Sequence, residues 1–315
     1  MALTTTGLTN GGVTAHYNFQ YDNSLAPPSN PSGPEPARTN AVIAACENDF
    51  NLMVGWFGNI ALDINFPVTV NLIPPGQPGA CAQVGACWSL SSGKLTVTIS
   101  DRNLNTIGAS TVRYLIVSEM DEQFMRAQRS GWYGSGTEGS EGEGLSRFLA
   151  AQILALNGLG NPPAGYANSN SWLNSPRTDF VNKIKPTDDG PDAVTGCALL
   201  FIYYLFTQLG FSIDAIVAAG ASTLSGVYKN LTGDQSNPFS VFKQLLDTAF
   251  PGTSTITGGN PDNPFPLPST KVLSTLQYLR KDAPGTRSLG NLIASKNVGN
   301  LRAVLNSDRS ASLVS

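Results

Sequence analysis

Ser118-Glu119-Met120-Asp121-Glu122 is the stretch on which the reading of this chain turns. It lies within a segment, about 110–129, where Val117, Met120 and Phe124 recur at helical spacing and form one apolar stripe. On such a helix Ser118 and Glu122 stand four residues apart on the same face, one turn above another, with Glu119 beside them. Val112, Leu115 and Ile116 extend that neighbourhood toward the core. Carboxylates among apolar neighbours have raised pKa values when buried, and they cost stability unless hydrogen bonds or a cation compensate them. Glu119 and Glu122 therefore mark a candidate site, the alternative being that they are solvent-facing residues of an amphipathic helix.

Working outward, residues 13–21 alternate in polarity and predict a strand. Residues 26–36 are a Pro/Ser-rich linker. Val42, Ala45, Cys46, Phe50, Met53, Val54 and Phe57 then predict a long helix over 38–57. A β-rich run over 66–73 ends at Pro74-Pro75, and 86–100 reads as a hairpin turning at Ser91-Ser92-Gly93, with Leu95, Val97 and Ile99 on one face. Downstream of the opening segment, a Gly-rich loop leads to a helix over 143–156, and the second half reads almost wholly helical. There the spacing predicts a helix over 193–209, with Asp192 as N-cap and Gly210 as C-cap, and shorter helices near 212–219 and 239–248. The fold class is α+β. Three parts follow: an N-terminal strand and Pro-rich linker (1–37), a body (38–250), and a linker with a basic C-terminal extension (251–315).

Twenty-one positions beyond Glu122 comes Glu143, in Glu143-Gly144-Leu145-Ser146-Arg147. Together the two segments resemble the gluzincin-type zinc metallopeptidases. In that family a first helix carries His-Glu-x-x-His, whose histidines bind zinc while the glutamate is the general base. A second helix supplies the third ligand in Glu-x-x-Ser/Ala-Asp. By this likeness Ser118 and Glu122 occupy the two histidine positions, Glu119 the general-base position and Glu143 the third-ligand position. Ser146 keeps the small residue, while Arg147 stands where the family has an aspartate. The order of helix, strands, hairpin and two motif helices also fits, as does the Gly196–Leu205 run, which resembles a packing helix of the family's helical subdomain. Over about 40–250 the resemblance implies a zincin-like core of long helix, small mixed sheet and active-site-type helix, with a helical second half.

The departures bear on function. Zinc peptidases need imidazole or thiolate ligands, and this chain has 1 histidine, His16, far from the motif. An oxygen set of Ser118, Glu122 and Glu143 suits calcium or magnesium better than zinc, yet is thin for either. Arg147 supplies an alternative, a guanidinium in place of the metal's charge. The resemblance thus implies a degenerate site. Glu119 is its vestigial general-base position, Ser118, Glu122, Glu143 and Arg147 form its vestigial binding site, and neither metal nor cofactor is expected. Such a chain is a pseudoenzyme acting in binding or as a structural component of an assembly. The alternative is a hydrolase using a carboxylate site of Glu119, Glu122 and Glu143, with calcium or another hard cation as its partner.

Composition adds weaker constraints. Charged residues are 13% of the chain, against roughly 25% in ordinary soluble domains. With 32 Gly and 21 Pro, uncharged loops cover much of the surface, which suits an exported or assembly-associated protein docking on a protein partner or on itself. From residue 271 onward seven Lys/Arg face Asp282 and Asp308, so the tail carries about +5 within a net charge of −3. No aromatic interleaving or motif accompanies it, and nucleic acid is not an expected partner. The N-terminus lacks the basic and apolar regions of a Sec signal peptide, and the compartment stays open. The apolar run from Cys197 to Leu209 is too short to span a bilayer and predicts a buried core helix.

Cys81 and Cys87 are spaced to allow a disulfide, whereas Cys46 and Cys197 fall in apolar helical patterns as packed thiols. Gly134–Gly139 matches GxGxxG, but it follows a helix and its acidic neighbours would repel a pyrophosphate. Six glycines between 131 and 144 suggest instead a mobile loop bordering a cleft, with Trp132 and Tyr133 either contacting a ligand or packing on the body. His16 reads as a satisfied strand residue, no GxSxG supports a serine hydrolase, and Asn230-Leu231-Thr232 matches a glycosylation sequon.

Overall fold

Alternation of buried and half-exposed side chains builds the sheet. Tyr17, Phe19 and Tyr21 are buried along β2 (Tyr17–Asp22), as are Val68, Val70 and Leu72 along β3 (Val68–Ile73). The structure is a computed structural model describing residues 2–25, 34–81, 85–89, 91–99, 108–134, 139–159, 165–183, 192–257, 263–265 and 267. With β1 (Leu3–Thr4), β4 (Gly85–Ser89) and β5 (Lys94–Thr98), the strands form a five-stranded mixed sheet in the order β1-β2-β3-β5-β4. The two inner pairings, β2 with β3 and β3 with β5, are parallel, and the two edge pairings are antiparallel.

Among the described residues eight α-helices accompany this sheet, and the fold is mixed α+β. The chain falls into two compact units, Met1–Arg129 and Ser130–Ser315. That boundary lies inside the body inferred from sequence.

In the first unit, α1 (Pro34–Trp56) connects β2 to β3, and α2 (Ala109–Gln128) follows β5. The helices pack on each other, α1 against β2 and α2 against β4 and β5. Phe50 and Phe57 of α1 and its end meet Phe124 of α2 at ring separations of 5.6 and 5.1 Å. Leu95, Val97 and Ile99 are buried, as their alternation predicts, and Gly93 closes the β4–β5 turn with φ of 60°, its N–H donating to Ser89 O.

Two sequence expectations are corrected here. The strand does not begin at residue 13. Residues Thr9–Gly12 form a 3₁₀ turn, and the Thr14 N–H donates to Tyr17 O, folding the chain back until β2 starts at Tyr17. The helix expected from 38 begins at Pro34, so the end of the expected 26–36 linker is its first turn. Proline is tolerated there because those N–H groups have no acceptor within the helix. Residues 26–33 lie outside the described set. The N-terminal segment is thus part of the sheet through β1 and β2, and part of α1.

The second unit is built around α5 (Asp192–Tyr203), in which Val194 to Tyr203 are all buried, as expected of a helix apolar on every face. It continues as a π-helical turn, Tyr204–Gln208, before Gly210 at φ of 72°. The helices α3 (Gly139–Leu156) and α4 (Ser169–Leu173) pack on α5. A Cβ on Gly144 would stand 2.7 Å from the Ala198 Cβ, so the missing side chain is what lets α3 approach α5. Next come α6 (Ile213–Ala218), capped by the Ser212 hydroxyl, α7 (Leu224–Thr232), capped by Thr223, and α8 (Phe239–Ala249). Neither α4 nor α7 was anticipated from sequence.

Arg177 ties α4 to α8: its guanidinium donates to Leu173 O, Asp247 Oδ1 and Phe250 O at 2.9, 2.7 and 2.6 Å. The stretch 251–269, expected to act as a linker, is fastened to this unit where it is described. Ile256 N donates to Asn170 Oδ1, Tyr166 Oη to Phe265 O and Gln208 Nε2 to Pro264 O, and Phe265 is fully buried. The basic extension beyond 270 lies outside the described residues. No helix among the described residues is long and apolar enough to cross a membrane.

Candidate functional site

Helix α2 runs unbroken through Ser118–Glu122, so the four-residue spacing does place Ser118 and Glu122 one turn apart. Val117, Met120 and Phe124 are buried as the stripe predicts, while Leu115 is half-exposed. The acids differ from expectation. Glu119 and Glu122 are only half-buried, and neither is without a partner. The acid withdrawn from solvent is Asp121, with 0% exposure and no hydrogen-bond partner on either carboxylate oxygen among the described residues. Burial alone drives its pKa well above the usual carboxylate range. The signal was present in the sequence, because Asp121 lies four residues after Val117 and three before Phe124, on the stripe itself.

Around this part of the first unit sits a buried polar cluster that sequence reading missed. Arg113 donates to Asp49 through Nε and Nη2 at 2.9 and 2.7 Å, a bidentate pair joining α2 to α1. Desolvation still leaves the Asp49 carboxyl above its ordinary value, outweighing the guanidinium. The Tyr17 hydroxyl is raised well above its usual value, first by burial and then by the nearby Cys46, Asp49, Glu47 and Asp121. Asp49 and Arg113 are 64 residues apart, and no local pattern announces them.

On α3, Arg147 Nε donates to Glu143 Oε2 at 2.8 Å, an ion pair one turn long in which both side chains are largely shielded. Ser146 Oγ donates to Glu143 O at 3.2 Å. Helix α3 begins at Gly139, a turn earlier than expected, and its most buried acid is Glu141, not Glu143. The structure thus joins Glu143 to Arg147 within α3 and sets Ser118, Glu119 and Glu122 together within α2. The two sets belong to different compact units. Among the described residues no group of three or more His, Cys, Asp or Glu side chains is arranged to hold a metal ion.

No protein-family model, curated protein or solved structure matches this chain.

The remaining motifs find structural roles. Trp132 is fully buried and its indole N–H donates to Val217 O at 2.9 Å, while Gly131 and Gly220 leave room for close approach to Ala221 and Ser130. A loop with Trp132 free for a ligand is therefore not what forms: Gly139, Gly142 and Gly144 belong to α3, and 135–138 lie outside the described residues. His16 precedes β2 and bridges to Glu47, with Nδ1 2.6 Å from Oε2 and the backbone N–H donating to Oε1, its ring stacked on Phe50 at 3.8 Å. Burial would raise the Glu47 carboxyl, but hydrogen bonds from Thr14 and His16 bring it below its ordinary value. Asn230 of the sequon donates to Ala219 O and Gly220 O, closing the end of α6. Cys81 and Cys87 form a disulfide, and Cys46 and Cys197 are buried free thiols.

Proposed function

We propose that this chain is a non-catalytic, metallopeptidase-like protein that acts in binding or as a structural component of an assembly. The observation that carries this reading is the Glu143–Arg147 pair. At the third-ligand position of the resemblance the carboxylate already accepts a guanidinium hydrogen bond at 2.8 Å, so its charge is balanced without a metal. The order of elements supports a zincin-like ancestry: a long helix between parallel strands, an edge hairpin, two successive motif helices, then a helical second half. Serine at the first histidine position and glutamate at the second leave no imidazole for zinc.

Elemental analysis of the purified full chain, with thermal unfolding in the presence and absence of EDTA, tests it. No stoichiometric zinc and a Tm indifferent to EDTA are expected. Stoichiometric zinc that is lost in Ser118→Ala or Glu143→Ala would overturn the reading. A calcium-dependent rise in Tm, lost in Glu122→Gln and Glu143→Gln, would favour the carboxylate hydrolase instead. Light scattering then reads self-assembly directly, as a mass above the 33.2 kDa of one chain.

A further inference from the structure

The first unit holds one acid that the proposed function does not use and that packing alone does not account for. Asp121 is fully buried on α2, both its carboxylate oxygens lack hydrogen-bond partners among the described residues, and apolar Val117 and Phe124 flank it at helical spacing. A charged carboxylate left like this loses its hydration and gains nothing in return, whereas the neutral acid loses far less. We propose that Asp121 is a proton-dependent lock: α2 seats in the core of the first unit only with this side chain protonated, and rising pH loosens it.

The groups around it do not offer a substitute for the proton. On α1, Asp49 is held by Arg113 and Glu47 by His16, and the Cys46 thiol is pushed up to about 11 by burial. On β2, Tyr17 is the neighbour that feels the charge of Asp121, and its hydroxyl is held neutral. Besides Asp121, α2 carries the charged residues Arg113, Glu119, Glu122 and Arg126: Arg113 is committed to Asp49, the two glutamates are of the same sign as Asp121, and Arg126 is exposed. Of the strands packed on α2, β5 carries Lys94, which is exposed, and β4 carries Cys87, which is oxidised.

The direction follows from linkage. An acid whose folded pKa is raised keeps its proton in the folded state while the unfolded chain has already released it. Stability from this group is therefore full below about pH 4 and is lost as pH rises toward the folded value. Within that window each pH unit lowers the folded-to-unfolded ratio about tenfold.

The test compares full-length wild type with Asp121→Asn, an isosteric side chain that cannot ionise, by denaturant unfolding between about pH 4 and pH 9. The ratio of the two folding constants should move toward Asp121→Asn by about tenfold per pH unit across the window, whatever constant offset the amide introduces. A ratio independent of pH overturns the lock. Infrared difference spectroscopy at neutral pH reads the wild type without relying on the variant's stability. The carbonyl band of a buried protonated carboxylic acid is expected, insensitive to added base until the protein loosens. Its absence at neutral pH overturns the proposal equally.

Discussion

Single residues in this protein are explained by what lies against them in space. Asp121 and Glu122 are adjacent in the chain, yet one is sealed in the core and the other is only half-buried. Arg113 carries the joint between α1 and α2. Its removal in Arg113→Ala takes the guanidinium from Asp49, which is 2% exposed, and should cost about 3 kcal/mol in denaturant unfolding, since losing the cation of a buried ion pair is heavily penalised. Arg113→Lys should recover only part of that loss, because an ammonium cannot make the two parallel hydrogen bonds. The cysteines give a second check at this scale. Burial holds the Cys46 thiol at about 11 and pushes Cys197 higher still, so neither should react with a thiol reagent in the native protein at neutral pH. Denaturant should expose two thiols, and reduction of Cys81–Cys87 should bring the titre to the chain's 4 cysteines.

At the scale of elements, small residues set how closely helices approach. Gly144 of α3 faces Ala198 of α5, where an added methyl would meet the Cβ at 2.7 Å and backbone at 3.0 Å. In an exposed helix Gly→Ala gains up to about 1 kcal/mol from propensity. Here Gly144→Ala should instead lose about 1–3 kcal/mol, because α3 and α5 must separate to admit it. A gain in Tm would show that the contact yields without cost. Element types were legible in the sequence wherever a periodic run was long: α1, α2, α3 and α5 and the β4–β5 hairpin stand close to their expected places. The misses were α4 and α7, which are short, and the starts of β2 and α1. A hydrogen-bonded turn at Thr14 decided the first, and proline in a first helical turn the second.

For the whole molecule, opposing titrations set the dependence of stability on pH. For Asp247 and Glu47, burial would raise the carboxyl, but hydrogen bonds from Lys243 and Arg177, and from Thr14 and His16, lower it overall. Their contribution is present above the ordinary carboxylate range and is lost as pH falls through their depressed values. Asp49 and Asp121 are raised by desolvation, so theirs is full at low pH and is lost as pH climbs from about 4. Stability should therefore peak in the mildly acidic range, near about pH 5, and decline on both sides. Tm measured across that range checks it, and a plateau extending to pH 8 would mean that the raised acids contribute little.

By itself the sequence determined the α+β class, the run of helices in the second half, the buried stripe of α2, the buried α5, and a cysteine spacing that permits the 81–87 bridge. Each of these rests on a repeat of two or 3.6 residues or on a short separation, and so is written locally. Only the tertiary structure decided that the N-terminal strands join the sheet, that the compact units part between Arg129 and Ser130, and that Asp49 meets Arg113. It also chose which acid of Ser118-Glu119-Met120-Asp121-Glu122 is buried. Those outcomes depend on which distant surfaces close over one another, and a carboxylate's energy is set by that enclosure more than by its neighbours in the chain.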